Sequence, residues 1–187
     1  MPKEEIRQAI HISLFLLAFF LKYLNRFQAA LLLLLLLFIS VVLVPKMKVR
    51  SFLYRNLEQR YSFGGITYFL VLLVLVLIFP AYIVAASWAI LALGDGAATL
   101  IGKNFKAKEL PWNKNKSYFG SFAFLIFGTL GAFILLKWMM PEMNGNDAFW
   151  LGFRTSIVAA IVESLPLKIN DNVSVAITSA VVMYLLS

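Results

Sequence analysis

The chain has 187 residues, of which 61% are hydrophobic and only 14% are charged. An ordinary soluble domain carries roughly 45–50% apolar residues, so this composition excludes a typical soluble fold and favours a membrane protein. The chain contains no cysteine and carries a formal net charge of +8. Disulfides, thiolate metal sites and cysteine nucleophiles are thus excluded, and the basic surplus indicates cytoplasmic loops and phosphate ligands, with no nucleic acid as a partner.

The apolar blocks predict an all-α, polytopic integral membrane protein with about seven transmembrane helices of about 20 residues each. Residues 66–94 carry no Asp, Glu, Lys or Arg. Such a run is about 43 Å of helix, too long for one ~30 Å crossing, so we expect Pro80 to divide it. We expect residues 1–187 to form a single domain, with spans at 8–21, 27–44, 66–80, 81–102, 118–136, 148–165 and 173–186.

The Lys and Arg residues are unevenly divided between the two sets of predicted loops, with 13 on one side and 3 on the other. The positive-inside rule therefore places the N-terminus in the cytoplasm and, with an odd number of spans, the C-terminus outside. Residues 1–21 could be mistaken for a signal peptide. However, Glu4 and Glu5 interrupt the basic region and no small-residue cleavage site follows, so we expect a retained helix.

Four ionisable residues, His11, Asp95, Arg154 and Glu163, fall inside predicted spans, where charge is costly and usually functional. All except Arg154 lie toward the cytoplasmic ends of their helices, and so does Asp171 at the start of the last span. Arg154 lies near the opposite end, where a structural or snorkelling role is expected. The sequence therefore predicts one polar site at the cytoplasmic membrane face.

Asp95 stands among small residues in the segment Leu-Gly-Asp-Gly-Ala-Ala-Thr-Leu-Ile-Gly-Lys, which covers 93–103. Helical spacing puts Asp95, Thr99 and Gly102 on one face. The carboxylate could hold a divalent cation and, through it, a phosphate. The alternative is a small-residue helix interface in which Asp95 pairs with a neighbouring cation. We favour function, because glycine alone would serve packing without a buried charge.

Five lysines occur within the fourteen residues 103–116, and Ser117 follows as a predicted N-cap of the fifth span. The free N–H groups of the first helical turn beside Lys116 would form an anion site. The positive-inside rule alone accounts for the lysines at 106, 108 and 114. Arg7 and His11 are four residues apart and could bind phosphate together, or serve equally well as an interfacial anchor and an interhelical hydrogen-bonding residue.

Glu163 and Asp171 bracket a short turn around Pro166 and suit metal binding or base chemistry; the alternative is an interfacial turn with exposed acids. Standard nucleotide motifs are absent. The stretch 96–103 has five residues between its glycines, and Asn follows the Lys where a P-loop needs Ser or Thr. With one histidine and no cysteine, neither a zinc site nor a serine-histidine triad is expected.

Taken together, these motifs resemble the polyprenol kinase family, which includes dolichol kinases, phytol kinases and CTP-dependent diacylglycerol kinases and is related to the phosphatidate cytidylyltransferases. Three positions depart from the family pattern: Gln8, Lys106 and Asn170. The motifs that carry the resemblance are Gly-Asp-Gly-Ala at 94–97 with Gly102 and Phe105, Lys-Ser-x-x-Gly-Ser at 116–121, Glu163, Asp-Asn at 171–172 and Arg-x-x-x-His at 7–11.

The resemblance implies a membrane kinase that transfers the γ-phosphoryl of CTP to the hydroxyl of an isoprenoid alcohol of the phytol, geranylgeraniol, polyprenol or dolichol type. It implies Mg²⁺ or another divalent cation, and catalytic acids Asp95, Glu163 and Asp171, of which Asp95 and Asp171 bind metal. Glu163 is either the base or a third metal ligand. The implied phosphate-binding residues are Lys103, Lys116, Ser117, Gly120, Ser121, Arg7 and His11, and further site residues are Gly94, Gly96, Thr99, Gly102 and Asn172.

Other functions stay open. The same site could serve a CDP-lipid synthase resembling the phosphatidate cytidylyltransferases, or a CTP-dependent diacylglycerol kinase. A small transporter is less favoured, because a transporter predicts charges at the bilayer centre and inverted repeats. This sequence gathers its charges at one membrane face and shows no internal repeat. The expected partners are a lipid alcohol, a nucleotide and the membrane, namely the plasma membrane in a prokaryote and the endoplasmic reticulum or plastid membrane in a eukaryote. The oligomeric state is left open.

Overall fold

The computed structural model describes residues 3–47, 61–104 and 108–187 of the chain. Phe105 and Lys106, which entered the family resemblance, lie outside the described residues. So do the basic residues at 48, 50, 55 and 60 that entered the charge count. The elements below are numbered along the described part of the chain.

The described residues are mostly helical, and each predicted span coincides with a helical segment. Residues 3–23 form α1 (Lys3–Ser13), α2 (Phe15–Ala18) and a 3₁₀ turn, Phe19–Tyr23. The next run joins α3 (Arg26–Phe38) to a π-helical segment, Ile39–Leu43, and a 3₁₀ turn, Val44–Lys46. The remaining helices are α4 (Phe63–Ile78), α5 (Ala81–Ala89) with a π-helical continuation Ile90–Asp95, α6 (Gly96–Asn104), α7 (Tyr118–Met139), α8 (Gly145–Ser164) and α9 (Asp171–Leu186).

Four helical runs within the described residues are long and apolar enough to cross a membrane, while α4 and α9 are apolar but shorter. This finding confirms the prediction of a helical membrane protein. The number of spans and the cytoplasmic N-terminus stay predictions. The four long runs are Glu4–Tyr23, Arg26–Lys46, Ala81–Lys103 and Tyr118–Met139.

Local sequence signals set the helix boundaries. Asn25 forms a capping box with Gln28 at the start of α3, since each side chain bonds the backbone N–H of the other residue. Pro80 stands at the N-cap of α5 and separates it from α4, as the length argument predicts. Asn144 and Asn170 cap α8 and α9 by accepting hydrogen bonds from the second residue after each of them.

The helix run 81–103 is the centre of the molecule. In its most apolar stretch of 18 residues, 78% of the stretch is buried, against 17% of the corresponding stretch in each of the runs Glu4–Tyr23 and Arg26–Lys46. It packs against α7, which α8 covers in turn. Asp95 is therefore carried by the most enclosed helix, while α1 and α3 lie at the periphery.

A small antiparallel hairpin connects α6 to α7. Its strands are β1 (Glu109–Leu110) and β2 (Asn113–Ser117), and they pair with an irregular register. The predicted spans make this segment part of a cytoplasmic loop, and the hairpin corrects that prediction. The hairpin is anchored instead by polar contacts. Both Asn113 and Trp112 donate hydrogen bonds to the backbone carbonyl of Ser164, each at 3.2 Å.

Candidate active site

Three carboxylates from separate helices meet at one end of the bundle. Asp95 ends the π-helical segment after α5, Glu163 lies in the last turn of α8 and Asp171 begins α9. One carboxylate oxygen from each residue lies within 4.8 Å of those of the other two. The fold thus brings together the three acids named from the sequence as catalytic.

Lys116, the penultimate residue of β2, reaches into this carboxylate cluster. Its ammonium donates a hydrogen bond to Glu163 Oε1 and another, of 2.8 Å, to Asp171 Oδ2. Burial disfavours the charged form of Lys116, but the carboxylates of Glu163, Asp95 and Asp171 outweigh burial and raise its pKa above the ordinary value. The sequence interpretation placed Lys116 on nucleotide phosphates, whereas here its ammonium pairs with the acids.

The carboxylate cluster retains free ligand capacity. Glu163 is only 2% exposed, and its Oε2 atom has no hydrogen-bond partner among the described residues. Three carboxylates and one ammonium give the cluster a formal charge of minus two, which complements one divalent cation. Hard cations such as Mg²⁺ prefer carboxylate oxygens, so Asp95, Glu163 and Asp171 fit such an ion.

The N-terminal helix closes one side of the carboxylate cluster. His11 Nε2 donates to the backbone carbonyl of Leu91 at 3.2 Å and lies 3.6 Å from Asp95 Oδ2. Nearer the start of α1, Glu4 bonds Arg7 at 2.6 Å and Lys103 at 2.9 Å. Arg7 and His11 thus contact different partners, and Arg7 and Lys103 share one acid.

The start of α7 has the geometry that the sequence predicts. Ser117 caps the helix, because its Oγ accepts a hydrogen bond of 3.1 Å from the backbone N–H of Gly120. At this point α6 and α7 are very close. A Cβ at Gly120 would lie 3.0 Å from the carbonyl oxygen of Ala98, and one at Gly102 would lie 3.0 Å from Ser117 Oγ. Glycine at both positions lets the capped end of α7 approach α6 closely.

A cavity of about 1100 Å³ joins these groups. Gly94 and Gly96 are not among its lining residues; Gly94 faces the ring of Phe124, and Gly96 lies against Ile12. Arg154 is also absent from the lining, and its side chain is exposed on α8. The other site residues named from the sequence all line the cavity: Arg7, His11, Asp95, Thr99, Gly102, Lys103, Lys116, Ser117, Gly120, Ser121, Glu163, Asp171 and Asn172.

Sequence reasoning missed several lining residues, among them Glu4, Gln8, Ser40 and Gly65. Gln8 is 4% exposed and its Oε1 has no partner in the described part of the chain, so it offers a free acceptor to a ligand. A polar residue within an apolar span was the available signal for Gln8 and Ser40. Gly65 gave no comparable signal, because its role depends on which helix it faces.

Comparison with curated proteins finds relatives of this chain among named lipid-alcohol kinases. Over 133 residues, 66% of this chain and 44% of the relative, the chain is 32% identical to "Probable phytol kinase, chloroplastic" of Triticum aestivum. It is 36% identical over 101 residues to "Farnesol kinase, chloroplastic" of Arabidopsis thaliana, which is 51% of this chain and 33% of the relative. The curated homologues of this chain are phytol and farnesol kinases.

A third relative agrees, since "Phytol kinase 1, chloroplastic" of Arabidopsis thaliana is 33% identical over 105 residues, 53% of this chain and 34% of the relative. The resemblance to the polyprenol kinase family is thereby confirmed. The chain spans less than half the length of these homologues. No family model matches the chain, and no solved structure matches it.

Proposed function

We propose that the chain is a lipid-alcohol kinase that transfers the γ-phosphoryl of CTP to the hydroxyl of an isoprenoid alcohol at the cytoplasmic membrane face. One observation carries the proposal: a cluster of three carboxylates and a lysine lines the same cavity as a set of apolar side chains from the peripheral helices. A polar nucleotide and an apolar alcohol can meet only in a site of this mixed character. The phytol and farnesol kinases among the homologues support the isoprenoid acceptor, and CTP rests on the family resemblance.

The proposed chemistry needs positioning and charge neutralisation more than covalent catalysis. Asp95 and Asp171 would hold a divalent cation, which supplies neutralisation of the phosphate charge. Lys103, Arg7 and the capped start of α7 line the same cavity and would bind the phosphate chain of the nucleotide.

Glu163 is assigned as the proton acceptor. In the proposed reaction the alcohol oxygen forms a bond to the γ-phosphorus, the bond from that phosphorus to the bridging oxygen breaks, and CDP leaves. The hydroxyl proton passes to the Glu163 carboxylate, whose Oε2 has no hydrogen-bond partner among the described residues. Glu163 could instead be a third metal ligand, and the test below separates the two roles.

The test is phosphate transfer by the purified full chain in lipid nanodiscs with CTP labelled at the γ-position, Mg²⁺, and phytol, geranylgeraniol, dolichol or diacylglycerol. Label in an extracted isoprenoid phosphate, lost with Asp95→Asn and kept with Asp147→Asn, is the expected result. Asp147 is a matched control, because it is an exposed acid in the first turn of α8, at the opposite end of that helix from Glu163.

Three outcomes would redirect the assignment. Label only in diacylglycerol would identify a diacylglycerol kinase. Transfer from α-labelled CTP to a lipid phosphate would identify a CDP-lipid synthase, and no transfer to any lipid would refute the kinase. With Glu163→Gln, a base role predicts lost turnover with unchanged Mg²⁺ affinity, whereas a ligand role predicts that higher Mg²⁺ restores activity.

A further inference from the structure

One wall of the cavity is apolar and comes from the peripheral helices. It is formed on one side by α1 and the residue that follows it, and on the other by α3, its π-helical and 3₁₀ continuation and α4. None of these side chains belongs to the set named from the sequence. The residues of this apolar wall are Ile10, Leu14, Leu36, Ile39, Val44 and Phe69, and the cavity is further lined by Tyr68, Ala98 and Ile169.

The apolar wall is elongated along the helix axes. On the α3 run, Val44 lies eight residues after Leu36, which is about 12 Å of helix. On the α1 side, Leu14 lies ten residues after Glu4, which is about 15 Å. The cavity therefore extends about 15 Å along α1 from the charged Glu4 to the apolar Leu14.

The polar and apolar walls are joined at the start of α4. The side-chain amide of Asn172, next to Asp171, donates a hydrogen bond of 2.8 Å to the carbonyl of Gly64. A Cβ on the following residue, Gly65, would lie 3.1 Å from Ser40 Oγ on the α3 run. The small residues Ser40, Gly64 and Gly65 thus let the α3 run and α4 approach closely beside the polar part of the cavity, which all three line.

We propose that this apolar wall binds the first isoprene units of the acceptor alcohol, with the hydroxyl end directed toward the carboxylate cluster; the proposal rests on the proposed function. Each isoprene unit adds four bonds to the main chain, at most about 6 Å of contour at about 1.5 Å per bond. A wall of about 12 Å between Leu36 and Val44 therefore covers about two units.

The rest of a longer alcohol would lie in the bilayer. The wall thus selects the isoprene units next to the hydroxyl, by its apolar character, and is indifferent to total chain length. Farnesol, phytol and geranylgeraniol should then be phosphorylated with similar efficiency. Prenol has a single isoprene unit, so it should contact only part of the apolar wall.

Adjacent leucines on α3 provide a matched pair for the test. Leu36 lines the cavity, while Leu35 is 54% exposed on the outer surface of the helix. The experiment compares Leu36→Trp with Leu35→Trp in nanodiscs, using prenol and geranylgeraniol as acceptors. We expect Leu36→Trp to lower kcat/KM for geranylgeraniol roughly tenfold, the loss that follows from displacing about two methylene groups from an apolar site. Activity on prenol should be kept, and Leu35→Trp should change neither.

Equal effects of the two variants, or an equal loss on prenol and geranylgeraniol, would overturn the proposal. A binding measurement separates it from the proposed function. A farnesol analogue carrying a benzophenone at its second isoprene unit should cross-link to residues 36–44, and geranylgeraniol should compete. Cross-linking there without phosphate transfer would refute the kinase and keep the apolar site, whereas transfer with cross-linking elsewhere would refute the apolar site alone. Ile39→Trp serves as a second variant if Leu36→Trp fails to fold.

Discussion

Replacing Lys116 with Met removes the cation that neutralises the carboxylate cluster. Two carboxylate oxygens at the 4.8 Å limit repel each other by about 3.5 kcal/mol at an effective dielectric constant of about 20. Breaking a buried ion pair typically costs about 3–5 kcal/mol. Asp171 is 42% exposed, so water screens its share, and we expect a loss of about 2–3 kcal/mol in the free energy of unfolding.

The assay is thermal unfolding of the full chain in detergent, with and without Mg²⁺. For a chain of this length the expected loss lowers the unfolding midpoint by roughly 4–12 °C. Adding Mg²⁺ should then stabilise Lys116→Met more than the native chain, because no ammonium has to be displaced. At one hundred times the dissociation constant, the ion contributes about 2.7 kcal/mol.

Lys114→Met is the matched control, since Lys114 lies two residues earlier in β2 and its side chain is exposed. If both variants unfold at the same temperature, Lys116 contributes no more than a surface lysine and the ion-pair argument is refuted. If Mg²⁺ leaves the Lys116→Met midpoint unchanged, the acids do not form a cation site.

Three further predictions concern the same end of the bundle. The pKa of Lys116 is raised in the folded state, so the stability that its ammonium contributes should be complete below the unfolded pKa of about 10.4 and lost as pH rises through the folded value. The difference in free energy of unfolding between the native chain and Lys116→Met should therefore be the same at pH 7 and at pH 9. A decrease of that difference over this interval would contradict the ion pair. Gly120→Ala should destabilise by about 1–3 kcal/mol, because its Cβ would meet the Ala98 carbonyl, whereas Gly64→Ala, with open space around its Cβ, should be neutral or stabilising in thermal unfolding. Ser117→Ala should cost about 0.5–2 kcal/mol through loss of the α7 cap, and an unchanged midpoint would show that the cap is dispensable.

Most helices of this fold could be predicted from the sequence, because a membrane permits few kinds of spanning structure. Length and hydropathy locate the helices, and Pro80 and Ser117 mark boundaries through backbone chemistry that acts within a few residues. The acids were identifiable for a similar reason, since Asp95 and Glu163 are conspicuous in apolar surroundings. Local rules therefore predict where helices start and which residues are unusual.

The pairing of those residues could not be predicted, because it depends on how helices pack. Nothing in the chain near Lys116 indicates that its ammonium contacts Glu163, 47 residues away. The Gly65 contact with Ser40 likewise exists only once α3 and α4 lie side by side. The short hairpin was missed because Asn113 and Trp112 are held by the carbonyl of Ser164 and not by any apolar pattern of their own.

The π-helical segment Ile90–Asp95 has a consequence for how the chain tolerates change. A π-turn is equivalent to one residue inserted into an α-helix, and each residue of an α-helix turns the following side chains by about 100°. The direction of Asp95 is therefore set by the number of residues that follow Pro80. Deletion of one of them would turn the carboxylate by about 100°, away from Glu163 and Asp171. A substitution acts differently, since Ala85, Ala86, Ala89 and Ala92 are completely buried and a larger side chain at any of them would crowd the core. In this stretch the residue count sets the direction of the carboxylate, and the residue size sets the packing.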